Sequence, residues 1–271
     1  SEHQLLKKAE NVLGVIWDGT GYGTDQQIWG GEFFGVQNQS FVRLDHLSYF
    51  PHLLGDKMSR EPRLSALSLL RHNDKDLALI QPAFTENEWT LYCSLLTQAG
   101  LSQTSSMGRL FDAVAAIIGL NKHVSYEGEA AMLLEAQAWQ EKMNWRGESL
   151  STISWPSENP LQIESWLPKL LADLRSGASV GWLALKFHVQ CIEMVRYVAD
   201  LHGYIQLAFS GGVWQNALLV DLADELLGPN YTLYFHEKLP ANDANISYGQ
   251  LALAQQGWLA KQSTKKLSAC V

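Results

Sequence analysis

The stretch NVLGVIWDGTGYGTD, residues 11–25, decides the fold. Its first part, Asn11–Trp17, is short, apolar and rich in β-branched side chains, which is typical of a buried strand. Glycines at positions 19, 21 and 23 follow, so we expect the strand to end in a glycine-rich turn. Such a turn can bring backbone N–H groups close to a phosphate, because no Cβ is in the way. A simple hairpin turn accounts for the same glycines, and the pattern alone leaves both interpretations open.

The glycine-rich turn does not match two common nucleotide-binding motifs. It lacks the Lys followed by Ser or Thr of a P-loop. It leads into a second apolar segment, Gln27–Gln37, and not into a helix, so it is not a dinucleotide-binding fingerprint. The two segments together predict a hairpin, with Phe41–Leu47 as a third strand. Asp18 directly follows the first predicted strand, a position where carboxylates often bind metal.

The rest of the chain is predicted to be a mixture of helices and strands. Residues 145–160 have the weakest pattern, which fits an exposed excursion or short strands. Helices are expected over residues 86–98, 106–118, 127–143, 161–174 and 180–202. Later elements are a strand, Gly-Gly turn and helix over 204–227, a strand over 231–237, and a loop with a last helix over 239–255.

Composition places the chain among ordinary globular proteins. Of its 271 residues, 46% are hydrophobic and 18% are charged, which excludes disordered and low-complexity classes. The net charge of −8 argues against general nucleic-acid binding, which needs concentrated positive charge. No apolar run reaches the roughly 18 residues of a membrane span. The three cysteines form no CxxC pair. A cytoplasmic protein is therefore expected, with no membrane or nucleic-acid partner.

Two later loops have both a functional and a structural interpretation. FSGGVWQN places Gly211 and Gly212 between a strand and a helix start, where free N–H groups favour a phosphate or a nucleoside. A tight turn is the alternative. Asn242 and Asp243 precede the last helix and suit either an N-cap or a metal site.

Buried helices carry two further polar groups. Asp112 interrupts the apolar face of the helix at 106–118, either as a satisfied core carboxylate or as a ligand for vicinal hydroxyls. His188 lies along a helix that is expected to be buried and is predicted to be structural. The eight histidines form no HxxxH or HExxH pair, and no nucleophile set is evident, so no catalytic residue is assigned.

Taken together, these segments resemble the HypF carbamoyltransferases, in the domain that is similar to the tRNA threonylcarbamoyl transferases. The order over about residues 11–255 is WDGTGYGTD, IWGGEFF, GDKMSREPR, SSMGRLFDAVAAIIGL, SYEGEAA, KFH, FSGGVWQN and the Asn-Asp loop. The resemblance implies an α/β, actin/Hsp70-like (ASKHA) fold with two lobes, a nucleotide in the cleft, and a first lobe truncated at its N-terminus. Residues 1–95 would be the remainder of the first lobe, and residues 96–271 the second lobe with the C-terminal return.

The resemblance also implies an activity. Such proteins transfer a carbamoyl group from carbamoyl adenylate to the C-terminal cysteine of HypE, during synthesis of the cyanide ligand of nickel–iron hydrogenase. The implied cofactors are a divalent metal (Fe or Zn) and ATP or AMP. The implied partners are HypE and the upstream HypF domains. Such a transfer needs a cation to polarise the acyl phosphate and a pocket for the leaving AMP.

Site roles follow from the same resemblance, position by position. Asp18 and Asp243 match carboxylates that bind the metal or phosphate, and Asp112 matches the ribose-binding aspartate. Lys57 and Arg60 match loop residues that could contact phosphate or a partner. The nucleoside cradle is matched by Gly128, Gly211, Gly212 and Asn216.

Two departures from the family favour an alternative. An HHxAH motif, whose histidines bind the metal, would precede this chain, so a truncated product is expected. The usual NDGG loop reads NDAN at residues 242–245. Two carboxylates alone would bind metal poorly, so a non-catalytic remnant that binds nucleotide or a partner is the alternative. Threonylcarbamoyl transfer to tRNA is disfavoured by the acidic charge and by the HypF-type segments.

Overall fold

One mixed sheet organises the chain, whose computed structural model describes residues 3, 11–37, 40–121, 123–147 and 149–255. The strands are β1 (Val12–Tyr22), β2 (Ile28–Gln37), β3 (Ser40–His46), β4 (Phe50–Pro51), β5 (Gln103–Thr104), β6 (Gln206–Ser210) and β7 (Thr232–Tyr234). Their order in the sheet is β4-β5-β2-β1-β6-β7, with β3 also paired to β2. The central strand β1 runs antiparallel to β2 and parallel to β6.

Ten α-helices are formed by the described residues. The predicted helix over residues 180–202 is confirmed at both ends, as α8. Among the described residues, none of these helices is long and apolar enough to cross a bilayer. They are α1 (Lys57–Arg60), α2 (Pro62–Leu70), α3 (Asp74–Leu77), α4 (Glu86–Leu96), α5 (Met107–Ile117), α6 (Glu129–Asn144), α7 (Leu167–Arg175), α8 (Val180–His202), α9 (Ala217–Leu227) and α10 (Ile246–Gln255).

The start of β1 lies at the centre of the hydrophobic core. Leu13, Val15 and Trp17 are completely buried, and α5 packs against this strand. Full burial of a side chain such as Leu or Val contributes about 1.5–3 kcal/mol. Residues 13–16 pair with residues 207–210 of β6, so strands from early and late in the chain share one sheet. The boundary predicted between residues 95 and 96 therefore does not divide the sheet.

Gly19 and Gly21 lie inside β1 and only Gly23 lies in the turn that follows, which corrects part of the sequence prediction. The register with β2 shifts between Trp17 and Gly21, where β1 contains two more residues than its partner. This bulge lets the strand continue to Tyr22, and the chain reverses only between Gly23 and Gln27, where the Gly23 N–H donates to the Gln27 carbonyl at 2.9 Å. A bulge bends a strand and redirects its side chains.

Two other expectations need correction. Residues 161–174 form a short 3₁₀ turn at Ile163–Ser165 and then α7, because Pro168 fixes the backbone at a helix start. Within the described part of residues 145–160 there is no strand, and Trp155 is buried, with its indole N–H donating to Asp173 at 2.8 Å. This segment is a packed loop and not an exposed excursion.

Buried Arg63 explains the charged segment GDKMSREPR. Its guanidinium donates to Glu61 at 2.6 Å, to Glu88 at 2.7 Å and to the carbonyl of Ala83 at 2.6 Å. Glu88 also closes a capping box with Thr85 at the start of α4. Arg63 therefore clamps α2 to α4.

Acid is expected to weaken this clamp through Glu88. Arg63 and the Thr85 backbone lower the pKa of Glu88 from 4.5 to about 2. The stabilisation is therefore complete above pH about 4.5 and is lost as the pH falls towards about 2. In urea unfolding between pH 6 and pH 3, Glu88→Gln should lose less stability on acidification than the wild type. Glu86→Gln, on the same turn, should behave as the wild type, and parallel pH profiles for all three proteins would contradict the clamp.

Candidate functional site

Ser106 joins the start of α5 to the bulge of β1. Its hydroxyl accepts the N–H of Arg109 at 3.0 Å as the helix N-cap, and it contacts the carbonyls of Asp18 and Gly19. A Cβ on Gly108 would lie 2.9 Å from the Cα of Gly19, so the two backbones nearly touch. Small residues at both positions therefore bring the helix start directly against the bulge.

Two glycines bring the strand–helix turn after β6 against the other side of the same bulge. Gly211 has φ +104°, and a Cβ there would lie 2.1 Å from the carbonyl oxygen of Trp17. A Cβ on Gly212 would lie 3.0 Å from Oδ1 of Asp18. The predicted glycines thus lie close to Asp18. Glycine is required at these positions because the packed backbones leave little room for a Cβ.

Asp18 lies in a partly buried, acidic environment. Its carboxylate accepts the Gly19 N–H at 2.7 Å. Burial raises its pKa, and so do the nearby charges of Asp243 and Glu127, whereas hydrogen bonds from Gly19 and Gly212 lower it. The structure therefore brings the predicted pair Asp18 and Asp243 into electrostatic range of each other.

A complete metal site is not formed by these carboxylates. Within the described ranges, no group of three or more His, Cys, Asp or Glu side chains could hold a metal ion. Asp18 and Asp243 supply two oxygen donors, whereas metal sites of the Fe or Zn type hold three or four protein ligands. The residues described do not by themselves fit the implied metal, and no chemical step is assigned to it.

Asp112 is a buried carboxylate, and one of its oxygens makes no hydrogen bond with the described residues. It is 3% exposed, and its Oδ2 lies 3.0 Å from Nη2 of Arg109. The angle of this ion pair makes no hydrogen bond, so Oδ2 has no hydrogen-bond partner in the described part of the chain. The pKa of Asp112 is raised to about 6, with burial as the main cause; the opposing charge of Arg109 lowers it and the charge of Glu127 raises it. Such an oxygen is suited to accept hydrogen bonds from the hydroxyls of a ligand.

The side-chain amide of Asn216 makes hydrogen bonds within the protein at both ends. Its Oδ1 accepts the Leu219 N–H at 2.9 Å as the N-cap of α9, and its Nδ2 lies 3.1 Å from Nε2 of His188. Nδ1 of His188 bonds the carbonyl of Ala184 at 2.8 Å, so this nitrogen carries the proton. Burial lowers the pKa of His188 to about 4 and keeps the ring neutral. The prediction of a structural His188 is confirmed, whereas both ends of the Asn216 amide are already occupied.

Gly128 and Glu127 lie where the chain enters α6. Gly128 is the N-cap, with φ +81°, and an added Cβ would meet nothing within 4 Å. The space beside Gly128 is therefore open, as a nucleoside contact requires. Glu127 was not predicted, because only the fold brings it near Asp18 and Asp112. The one sequence signal was its place in SYEGEAA, beside Gly128.

A cavity of about 780 Å³ opens between the bulge of β1, α1, α5 and the loop before α6. We call it the α1–α5 cavity; its wall includes Gly19, His52, Arg60, Arg109 and Glu127. The two predicted cations, Lys57 and Arg60, differ in position. Arg60 lines the cavity, whereas Lys57 is held by the Tyr92 hydroxyl at 2.6 Å.

Comparison with known proteins identifies the family. A family profile described as "Carbamoyltransferase, Kae1-like Domain, second subdomain" matches residues 14–250. The chain belongs to the HypF carbamoyltransferase family. Carbamoyltransferase HypF of Synechocystis sp. is 33% identical, and the alignment covers 93% of this chain and 35% of that protein. HypF2 of Cupriavidus necator is 29% identical, with 91% and 34% covered.

Solved HypF structures confirm the predicted α/β, actin/Hsp70-like fold. Full-length HypF in the phosphate- and nucleotide-bound form superposes with a TM-score of 0.79 at 30% identity, covering 94% of this chain and 34% of that one. HypF of T. kodakarensis gives 0.73 at 26% identity, covering 92% and 34%. The chain thus spans about a third of the length of these HypF relatives.

Proposed function

We propose that this chain is the part of a HypF protein that transfers the carbamoyl group from carbamoyl adenylate to the C-terminal cysteine of HypE. Membership of the carbamoyltransferase family supports this proposal. The observation that carries it is the placement of Asp112, whose Oδ2 makes no hydrogen bond with the described residues, near Glu127 and the Asp18 bulge. In this proposal, the resulting thiocarboxamide supplies the cyanide ligand of nickel–iron hydrogenase.

The nucleotide would lie along this edge of the sheet. Oδ2 of Asp112 would accept hydrogen bonds from the ribose hydroxyls. The open backbone at Gly128 would contact the nucleoside, close to the start of α6, where unpaired N–H groups carry partial positive charge. Gly211 and Gly212 would keep side chains away from the space beside Asp18.

The reaction forms a C–S bond between the acceptor cysteine and the carbamoyl carbon. The C–O bond to the phosphate breaks, AMP leaves with the bonding electrons, and the thiol proton is released to solvent. The chain's own residues would hold the AMP part in position, which lowers the entropic cost of the attack. Asp18 and Asp243 would be two of the ligands of a divalent metal, Fe or Zn, and the remaining ligands would come from outside the described residues.

Partners and compartment belong to the same proposal. The upstream HypF domains would make carbamoyl adenylate from carbamoyl phosphate and ATP, and HypE would present the acceptor. The composition of the chain is consistent with a cytoplasmic site of action.

A second candidate is a non-catalytic remnant that binds nucleotide or a partner. It is favoured by one observation: the described residues supply no third metal ligand beside Asp18 and Asp243.

Carbamoyl transfer to HypE separates the two candidates. The chain would be mixed with carbamoyl phosphate, ATP, HypE and a HypF fragment that ends where this chain begins, and HypE would be weighed by mass spectrometry. We expect carbamoylated HypE only when both parts are present. Asp18→Asn should abolish the product, and Asp221→Asn, on the exposed side of α9, should not. If both parts fold and associate but HypE stays unmodified, the remnant is the correct function.

A further inference from the structure

Arg109 has buried donors that the protein itself does not use. The residue is 4% exposed and lies in the wall of the α1–α5 cavity. Its Nε and Nη1 have no hydrogen-bond partner among the described residues, and only Nη2 approaches Asp112. A buried donor without an acceptor destabilises the fold, so such donors are uncommon without a reason. An acceptor supplied by a ligand would provide that reason.

The charges around the cavity nearly balance, which disfavours a ligand with more than one negative charge. Arg60 also lies in the wall, and Asp56 and Glu127 supply the opposing charges. Burial, and then the charge of Arg109, lower the pKa of His52, so this ring is neutral at neutral pH. Two arginines against two carboxylates, with Asp112 already close to Arg109, leave little attraction for a multiply charged ion.

The size and walls of the cavity favour an organic ligand over a bare ion. Its volume of about 780 Å³ lies within the range of roughly 300–1,000 Å³ that is usual for small-molecule sites. Ile28, Val124 and Tyr126 offer apolar surface, and the Ser125 hydroxyl lies on the same wall. The planar guanidinium of arginine matches a carboxylate with two parallel hydrogen bonds.

We propose that the α1–α5 cavity binds an organic monoanion through its carboxylate, with Arg109 as the buried donor and Arg60 as a second cation in the wall. The site shares the Gly19 bulge and Glu127 with the proposed nucleotide face, and Arg109 pairs with Asp112, but its proposed donors, Arg109 and Arg60, are not used by the nucleotide proposal. It does not depend on carbamoyl transfer, and its failure would leave the proposed function untouched.

Binding of N-acetyl-L-alanine, compared with its uncharged amide, tests the proposal. Methyl NMR of Ile28 and Val124 in the intact chain would report occupancy. The acid should shift both signals saturably, and the amide should bind at least about 10-fold more weakly, because it lacks the charge-assisted hydrogen bonds. Arg109→Gln should weaken the acid by about 10- to 100-fold. Arg146→Gln, an arginine outside the cavity, should leave binding unchanged.

Further measurements keep the test decisive. If Arg109→Gln does not melt cooperatively, Asp112→Asn replaces it; this variant removes the internal competitor of Arg109, so the acid should bind several-fold more tightly. A peptide ending in alanine, with and without a C-terminal amide, shows whether the carboxylate comes from a free acid or from a chain end. Equal binding of acid and amide, or saturable binding of inorganic phosphate without binding of the acid, would overturn the proposal.

Discussion

Replacing Gly211 with alanine is expected to lower the free energy of unfolding severely. Its φ of +104° is strained for any residue with a Cβ, and that Cβ would lie 2.1 Å from the Trp17 carbonyl oxygen. The contact is with backbone at the centre of the sheet, which cannot move aside cheaply. Strain and overlap together should cost about 3–6 kcal/mol, a large part of the total stability of a typical domain. Urea unfolding followed by tryptophan fluorescence measures the loss.

Gly100→Ala is the matched control for this prediction. Gly100 has φ +80°, but an added Cβ there would meet nothing within 4 Å. Its loss should be limited to about 1–2 kcal/mol of backbone strain. Equal losses for the two variants would show that the backbone angle alone matters, and that the turn after β6 does not need its close contact with β1.

Replacing Asp112 with asparagine is expected to stabilise the protein while weakening nucleotide binding. Burial raises the pKa of this carboxyl from 3.8 to about 6 in spite of Arg109, so the fold disfavours its charged form. Asparagine has the same shape and no charge. At pH 7.5 the variant should therefore gain about 1–3 kcal/mol in the free energy of unfolding. Lost hydrogen bonds to the ribose should weaken AMP binding by about tenfold or more.

The stability difference between Asp112→Asn and the wild type is expected to depend on pH. The fold favours the protonated form of Asp112. The stability gained by binding this proton is complete below pH about 3.8 and is lost as the pH rises through about 6. The difference between Asp112→Asn and wild type should therefore be larger at pH 7.5 than at pH 5, in urea unfolding at both values. A variant that is less stable than wild type at pH 7.5 would show that the Arg109 ion pair outweighs the burial of Asp112.

Much of the fold could be predicted because it is written in local patterns. Asn11–Trp17 has the apolar run of a buried strand, and α8 has a clear N-cap at Ser179 and a stop at Gly203. The bulge in β1 could not be predicted, since it depends on the pairing with β2. The pairing of strands from both sides of residue 95 in one sheet could not be predicted for a similar reason, because only the assembled sheet shows which strands are neighbours.

The residues of the candidate site also include some that the sequence could predict and some that it could not. Asp18, Asp112 and the Gly-Gly turn stood out as unusual residues in recognisable segments. Arg109 and Glu127 did not, because their importance comes from what other elements place beside them.

The structure also separates residues that the sequence treated alike. Asn216 shares a loop with Gly212, yet both ends of its amide serve α9 and His188. Lys57 and Arg60 share α1, yet only Arg60 lines the cavity. Such differences follow from tertiary contacts that no spacing in the sequence reveals.

A thermal-shift titration with AMP tests the central claim most directly, namely that the edge around Asp112 binds a nucleotide. The wild type and Asp221→Asn should show a melting temperature that rises with AMP concentration, because a ligand of the native state stabilises it. Asp112→Asn, although folded and at least as stable, should show little or no rise over the same range. A wild type that melts cooperatively without any shift, or an Asp112→Asn shift equal to that of the wild type, would contradict the claim.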